Sequence, residues 1–130
     1  MKNIIKFLGI ISFVVITGLV FTACDEENSA SAKINIINNY NKPITEVAIE
    51  AEGIVDIYSY EVIKPGNTKT FSVVFKNNKT TEDFCSIWLY AEGVEDINDP
   101  SSDFVYSNFY LNVDKTITVT LTSEGKISIR

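Results

Sequence analysis

Thr116-Ile117-Thr118-Val119-Thr120-Leu121-Thr122 alternates hydroxyl and aliphatic side chains without a break. A strand sends successive side chains to opposite faces, so this pattern predicts threonines toward water and Ile, Val and Leu toward a core. The same two-residue period recurs along most of the chain after Lys33, and no window carries a convincing helical stripe. Ile34 and Ile36 alternate with Lys33 and Asn35. Thr45, Val47, Ile49 and Ala51 form one predicted face of ITEVAIEA, with Glu46 and Glu50 on the other. Ile54 to Ile63 reads as a third extended segment, and Phe71, Val73 and Phe75 alternate with Thr70, Ser72 and Lys76 in a fourth. Cys85, Ile87, Leu89 and Ala91 share one side of a fifth, Phe104 to Leu111 is aromatic on both faces, and Lys126 to Arg130 closes the series.

Turn chemistry separates these runs. Asn38-Asn39-Tyr40-Asn41-Lys42-Pro43 is built of turn formers. Lys64-Pro65-Gly66 places a fixed φ before a residue that tolerates a positive one. Ser123-Glu124-Gly125 joins the last two strands as a hairpin. Short strands at regular spacing, each with one apolar side, must bury those sides against each other. The predicted fold is an all-β, antiparallel β-sandwich of about seven or eight strands, Ig-like or similar, over residues 33–130, with a partly closed barrel as its competitor. The Ig marks are incomplete, because Trp88 lies on a strand but no cysteine pair flanks it.

The amino terminus follows other rules. Lys2 and Lys6 precede an uncharged run from Phe7 to Ala23 rich in Ile, Val, Leu and Phe, which is the layout of a secretory signal. It ends in Phe21-Thr22-Ala23-Cys24, which resembles the lipobox of bacterial lipoproteins. That resemblance implies a diacylglycerol thioether on Cys24, removal of residues 1–23 and acylation of the new amino group. Residues 24–32 read as a short polar tether. One acyl chain holds a protein only marginally, whereas two or more give stable attachment, so the resemblance implies a membrane partner reached through lipid on Cys24. Asp25 directly after the cysteine resembles an inner-membrane retention signal, and the cluster Asp25-Glu26-Glu27 resembles a surface-export signal. The expected location is the bacterial envelope, at the outer membrane or cell surface rather than the inner membrane. The stretch Ile34 to Gly93, with its polar turn, ITEV strand, IKPG turn and TKTF strand, is in turn similar to small β-sandwich modules of uncharacterised bacterial lipoproteins.

Loss of residues 1–23 leaves enough chain for one domain. It also removes two lysines and no acid, taking the net charge from −6 to −8. That sign argues against nucleic acid as a partner, since phosphate binding needs clustered Lys and Arg.

Catalytic chemistry is poorly supplied. The chain has no histidine, no Gly-rich phosphate loop and no cluster of metal-spaced ligands, so neither a cofactor nor a catalytic residue is expected. Cys85, with no basic partner in view, reads as a small buried hydrophobe. Residues 92–103 read as a plain acidic loop, although Asp96, Asn98, Asp99 and Asp103 would offer calcium hard oxygen ligands. Trp88, Tyr90, Tyr106, Phe109 and Tyr110 are expected mainly in the core, some of them half exposed; on one open face they would instead make a platform for a sugar or a protein. The functional expectation is a non-catalytic binding or structural module with a protein or glycan ligand. The alternative is a small envelope hydrolase acting through paired carboxylates.

Overall fold

The computed structural model describes residues 30–76, 81–96 and 99–130. The signal segment, Cys24 and most of the tether lie outside the described residues, as does Asn98. Eight strands form: β1 (Ser31–Asn38), β2 (Ile44–Glu50), β3 (Ile57–Ser59), β4 (Thr68–Val74), β5 (Glu82–Ala91), β6 (Phe104–Asn112), β7 (Thr116–Leu121) and β8 (Ile127–Ile129). They make two four-stranded sheets, ordered β4-β1-β7-β8 (sheet A) and β3-β2-β5-β6 (sheet B). Among the described residues no helix is long and apolar enough to cross a membrane.

The inward residues are those that the alternation selects. Ile34, Ile36, Val73, Val119 and Leu121 of sheet A meet Val47, Ile49, Ile87, Leu89 and Leu111 of sheet B in one continuous core, and all ten are fully buried. This is the β-sandwich expected from the period of two.

Four details differ from the sequence reading. The sheets are not wholly antiparallel, because β1 runs parallel to β7, with Ile34 beside Ile117 and Ile36 beside Val119. The chain carries β1 to the other sheet before β7 is made, so the two join without a hairpin and their direction is set by the crossovers. In β2 the register slips between Ile44 and Glu46, which puts Ile44 in the core and leaves Thr45 exposed, where strict alternation would have turned Thr45 inward. The segment from Ile54 to Ile63 is mostly irregular. Only Ile57–Ser59 pairs as a strand, with single bridges from Ile54 to Phe75 and from Ile63 to Ile44. In addition, β1 starts at Ser31 and Ala32 is buried, so pairing begins before residue 33.

The turns are made as their residues dictate. Asn67 N–H donates to Lys64 O at 3.0 Å across Pro65-Gly66, and Gly66 has φ +82°, the geometry of a type II turn. At the β7–β8 hairpin Gly125 takes φ +73°, and its N–H donates to Thr122 O at 2.9 Å.

Asn38 is the one fully buried polar residue among those described. Its Nδ2 donates to Lys42 O and Ile63 O, both at 2.8 Å, and its Oδ1 accepts the Tyr40 N–H at 3.0 Å. Its backbone carbonyl accepts Gly66 N–H at 2.7 Å. One amide side chain thus satisfies backbone groups of the Asn38–Pro43 turn and of the approach to the Lys64-Pro65-Gly66 turn, which burial would otherwise leave unpaired.

Candidate functional site

Because Cys85, Ile87, Leu89 and Ala91 point into the core, the intervening residues of β5 must point out of sheet B. Those residues are Phe84, Ser86, Trp88 and Tyr90. The register of β6 sets Tyr110 opposite Phe84, Asn108 opposite Ser86, Tyr106 opposite Trp88 and Phe104 opposite Tyr90. Three of the four rungs are therefore aromatic pairs. Ring centroids are 5.1 Å apart for Phe84 and Tyr110, 5.8 Å for Trp88 and Tyr106, and 5.4 Å for Tyr90 and Phe104. The Trp88 and Tyr106 rings are nearly parallel, at 29°. Cross-strand pairs of this kind contribute roughly 0.2 to 1 kcal/mol each.

The fourth rung is polar. Ser86 Oγ lies 2.7 Å from Asn108 Oδ1 as its donor, and Asn108 Nδ2 donates to Tyr106 Oη at 2.7 Å. Across β2 the surface continues through Ala48, which lies between Trp88 and Tyr58 in register. The Tyr58 hydroxyl donates to Glu50 Oε1. That hydrogen bond, ahead of desolvation and the Glu50 charge, pushes the phenol pKa up to about 12. Tyr110 is 60% exposed, Tyr58 56%, Phe84 50% and Tyr106 41%, so the rings are offered to solvent.

At one end of these rungs Ser86, Trp88, Phe104, Tyr106 and the buried Asp96 line an open depression of about 480 Å³. Asp96 brings the 92–103 loop up to the aromatic face. Stacking surface, a hydroxyl and the acidic Asp96 thus meet within one shallow site, with the Asn108 amide bonded to Ser86 next to it.

The expectation that these aromatics mainly build the core is overturned. Trp88, Tyr90, Tyr106 and Tyr110 lie on the outer face, and only Phe109 of the five points inward. Parity explains the split, since Phe109 is an odd-numbered strand position while Tyr106 and Tyr110 are even. Phe84, Phe104 and Tyr58 also belong to the platform and were not singled out from the sequence. The signal for Phe84 was present, because assigning Cys85 to the core already sends its neighbour outward. The outward position of Trp88 also separates this sandwich from an Ig domain, whose strand tryptophan packs inside.

Cys85 is buried, and burial first, then the Asp83 carboxylate, pushes its thiol up to about 12, so the nucleophilic thiolate is scarce at neutral pH. In the 92–103 loop, Asp99 Oδ1 accepts the Ser101 hydroxyl at 2.7 Å and the Ser101 N–H at 3.2 Å, which commits it to a local turn. Among the described residues no group of three or more acidic or cysteine side chains is placed to hold a metal ion.

The sequence matches no protein-family model and no curated protein. The reading of function therefore rests on the residues and on this geometry.

Proposed function

We propose that the chain is a non-catalytic lipoprotein of the bacterial envelope that binds a glycan on the aromatic face of sheet B. Residues 1–23 are the leader, and Cys24 carries the lipid that attaches the protein at the outer membrane or cell surface. From Cys24 to Ala30 the chain reaches at most about 20 Å, which keeps the sandwich near the bilayer. The observation that carries the binding reading is the outward ladder of Phe84–Tyr110, Trp88–Tyr106 and Tyr90–Phe104, in which Phe84, Tyr106 and Tyr110 are exposed and Trp88, Tyr90 and Phe104 half-buried.

A folded domain gains nothing from leaving such rings in water, and patches of this kind mark contact surfaces. A sugar ring has an apolar C–H face and a rim of hydroxyls. Trp88 and Tyr106 supply the flat partner for the first, and Ser86, Asn108 and Asp96 supply hydrogen-bonding groups for the second. The breadth of the patch, from Tyr58 on β3 to Tyr110 on β6, favours a protein ligand as the second reading.

Trp88 is the chain's single tryptophan, so its fluorescence reports on the face directly. Titration of the full chain in detergent with a panel of envelope oligosaccharides should shift that emission, and Tyr106→Ala should abolish the shift. No response to any glycan, with a protein captured from the envelope in a Tyr106-dependent way, would favour the second reading. Palmitate-analogue labelling of wild type but not of Cys24→Ala tests the anchor separately.

A further inference from the structure

The two sheets have four edge strands between them, and three are guarded. β3 and β8 are three residues long. β4 carries Lys69, and its far end is capped by Val55 N–H donating to Val74 O at 2.8 Å. Shortness, charge and covering segments are the usual means by which an edge is kept from pairing with another chain. Among the described residues β6 is neither short nor charged and has no segment hydrogen-bonded along its free edge. Its nine residues, FVYSNFYLN, include no charge and no proline.

The hydrogen-bond parity of β6 can be read from its two ends. Ala91 N–H donates to Asp103 O at 3.0 Å and Val113 N–H to Thr81 O at 3.1 Å, in the same unbroken register as the strand pairs between them. In an antiparallel pair the bonded positions alternate, so Val105, Ser107, Phe109 and Leu111 bond to β5. The N–H and C=O groups of Tyr106, Asn108 and Tyr110 point to the free edge, where no hydrogen bond from another described residue meets them. Beside the start of this edge, toward the β7–β8 hairpin, lies an open depression of about 480 Å³ lined by Val105, Tyr106, Lys126 and Ile127 and by Glu95, Asp96 and Pro100 of the 92–103 loop, with no strand paired there among the described residues.

We propose that β6 pairs with β6 of a second copy of this chain, antiparallel about a two-fold axis at Asn108. The occupant is a second copy because the strand is its own complement. Antiparallel alignment about Asn108 sets residue 104 against 112, 106 against 110 and 108 against itself. At Tyr106, Asn108 and Tyr110 both backbone groups face outward unpaired among the described residues, whereas at the two ends Asn112 O also accepts the Lys115 N–H at 3.2 Å and Phe104 O the Ser102 hydroxyl at 3.3 Å. A strand without charge meets its copy without repulsion, although the chain as a whole is strongly acidic. A two-fold interface of this kind is closed, which stops assembly at two chains. Sheet B then continues across the axis as one eight-stranded sheet. Tyr106 comes beside the other chain's Tyr110 on the outer face, so the two aromatic ladders become one surface.

The test uses the full chain in detergent. Light scattering corrected for bound detergent should find two chains per particle. Under mild oxidation Asn108→Cys should give a covalent dimer, while Ser72→Cys, on the guarded β4 edge, should give at least tenfold less. Asn108→Pro removes an N–H that the monomer does not use, so it should leave one chain per particle with an unchanged far-ultraviolet spectrum. Should the proline variant fail to fold, Asn108→Lys keeps the N–H, places like charges face to face at the axis and should likewise halve the particle. A single chain per particle for the wild type overturns the proposal. So does a dimer that survives both substitutions, or one that cross-links equally well through Ser72→Cys.

Discussion

The outward sides of the two sheets solve the same problem differently. Sheet A turns Lys33, Asn35, Thr70, Ser72, Thr118 and Thr120 to water, a surface of hydroxyls, amides and charge that needs no further cover. Sheet B turns out Phe84, Trp88, Tyr90, Phe104, Tyr106 and Tyr110. Both sheets have four strands and both close the same core, so the fold does not require aromatics on either exterior. Sheet A shows that this sandwich can present a polar outer face. The rings on sheet B are therefore an addition to the fold, and ligand contact is the use proposed for them.

The sharpest way to break this comparison is to substitute neighbours on β5. Leu89→Ala removes a fully buried side chain and should cost about 2 to 5 kcal/mol of unfolding free energy by urea titration. Trp88→Ala, one residue away but facing out, should cost less, about 1 to 2 kcal/mol, because it loses a half-buried ring beside Ala48 and the cross-strand contact with Tyr106. Equal losses would mean that the aromatic face is a second core. Asn38→Ala comes next, at about 2 kcal/mol, since it strands the carbonyls of Lys42 and Ile63 and the Tyr40 N–H. A cost near zero would show that water replaces the amide.

An alkaline titration separates the inside of sheet B from its outside. Cys85 has its pKa raised from 9.0 to about 12 in the folded chain. Its contribution is therefore complete below pH 9 and is lost as pH rises toward 12, because the unfolded thiol ionises first. Stability should fall by about 1 kcal/mol per pH unit in that window through this group, and Cys85→Ala should remove that part of the slope. Tyr58, raised from 10.0 to about 12, acts in the same direction but begins a unit later. The smallest change belongs to Tyr106→Thr, which gives sheet B a residue typical of sheet A. It should cost about 0.5 kcal/mol while removing the ligand-induced change in Trp88 emission. Retention of that response would move the binding surface elsewhere.

Much of this could be read from the residues. The inward residues of β1, β4, β5 and β7 follow from a period of two, and Pro65-Gly66 and Gly125 mark their turns correctly. The candidate site was half legible. The parity of β5 implies an outward Trp88 and Tyr90, but the partners opposite them depend on the register of β6, which a loop of uncertain geometry in sequence does not specify.

Alternation is a property of one strand's own backbone, so the chain by itself determined where strands run and which side of each is apolar. Pairing joins residues far apart in the chain, and many partners satisfy the same local pattern. Tertiary structure alone decided that β1 lies parallel to β7, that β2 slips its register beside Ile44, that Asn38 is enclosed between two turns, and that three aromatic pairs line up across β5 and β6. Each of those outcomes depends on which distant backbone supplies the hydrogen bonds, and that information lies in the assembled sheets.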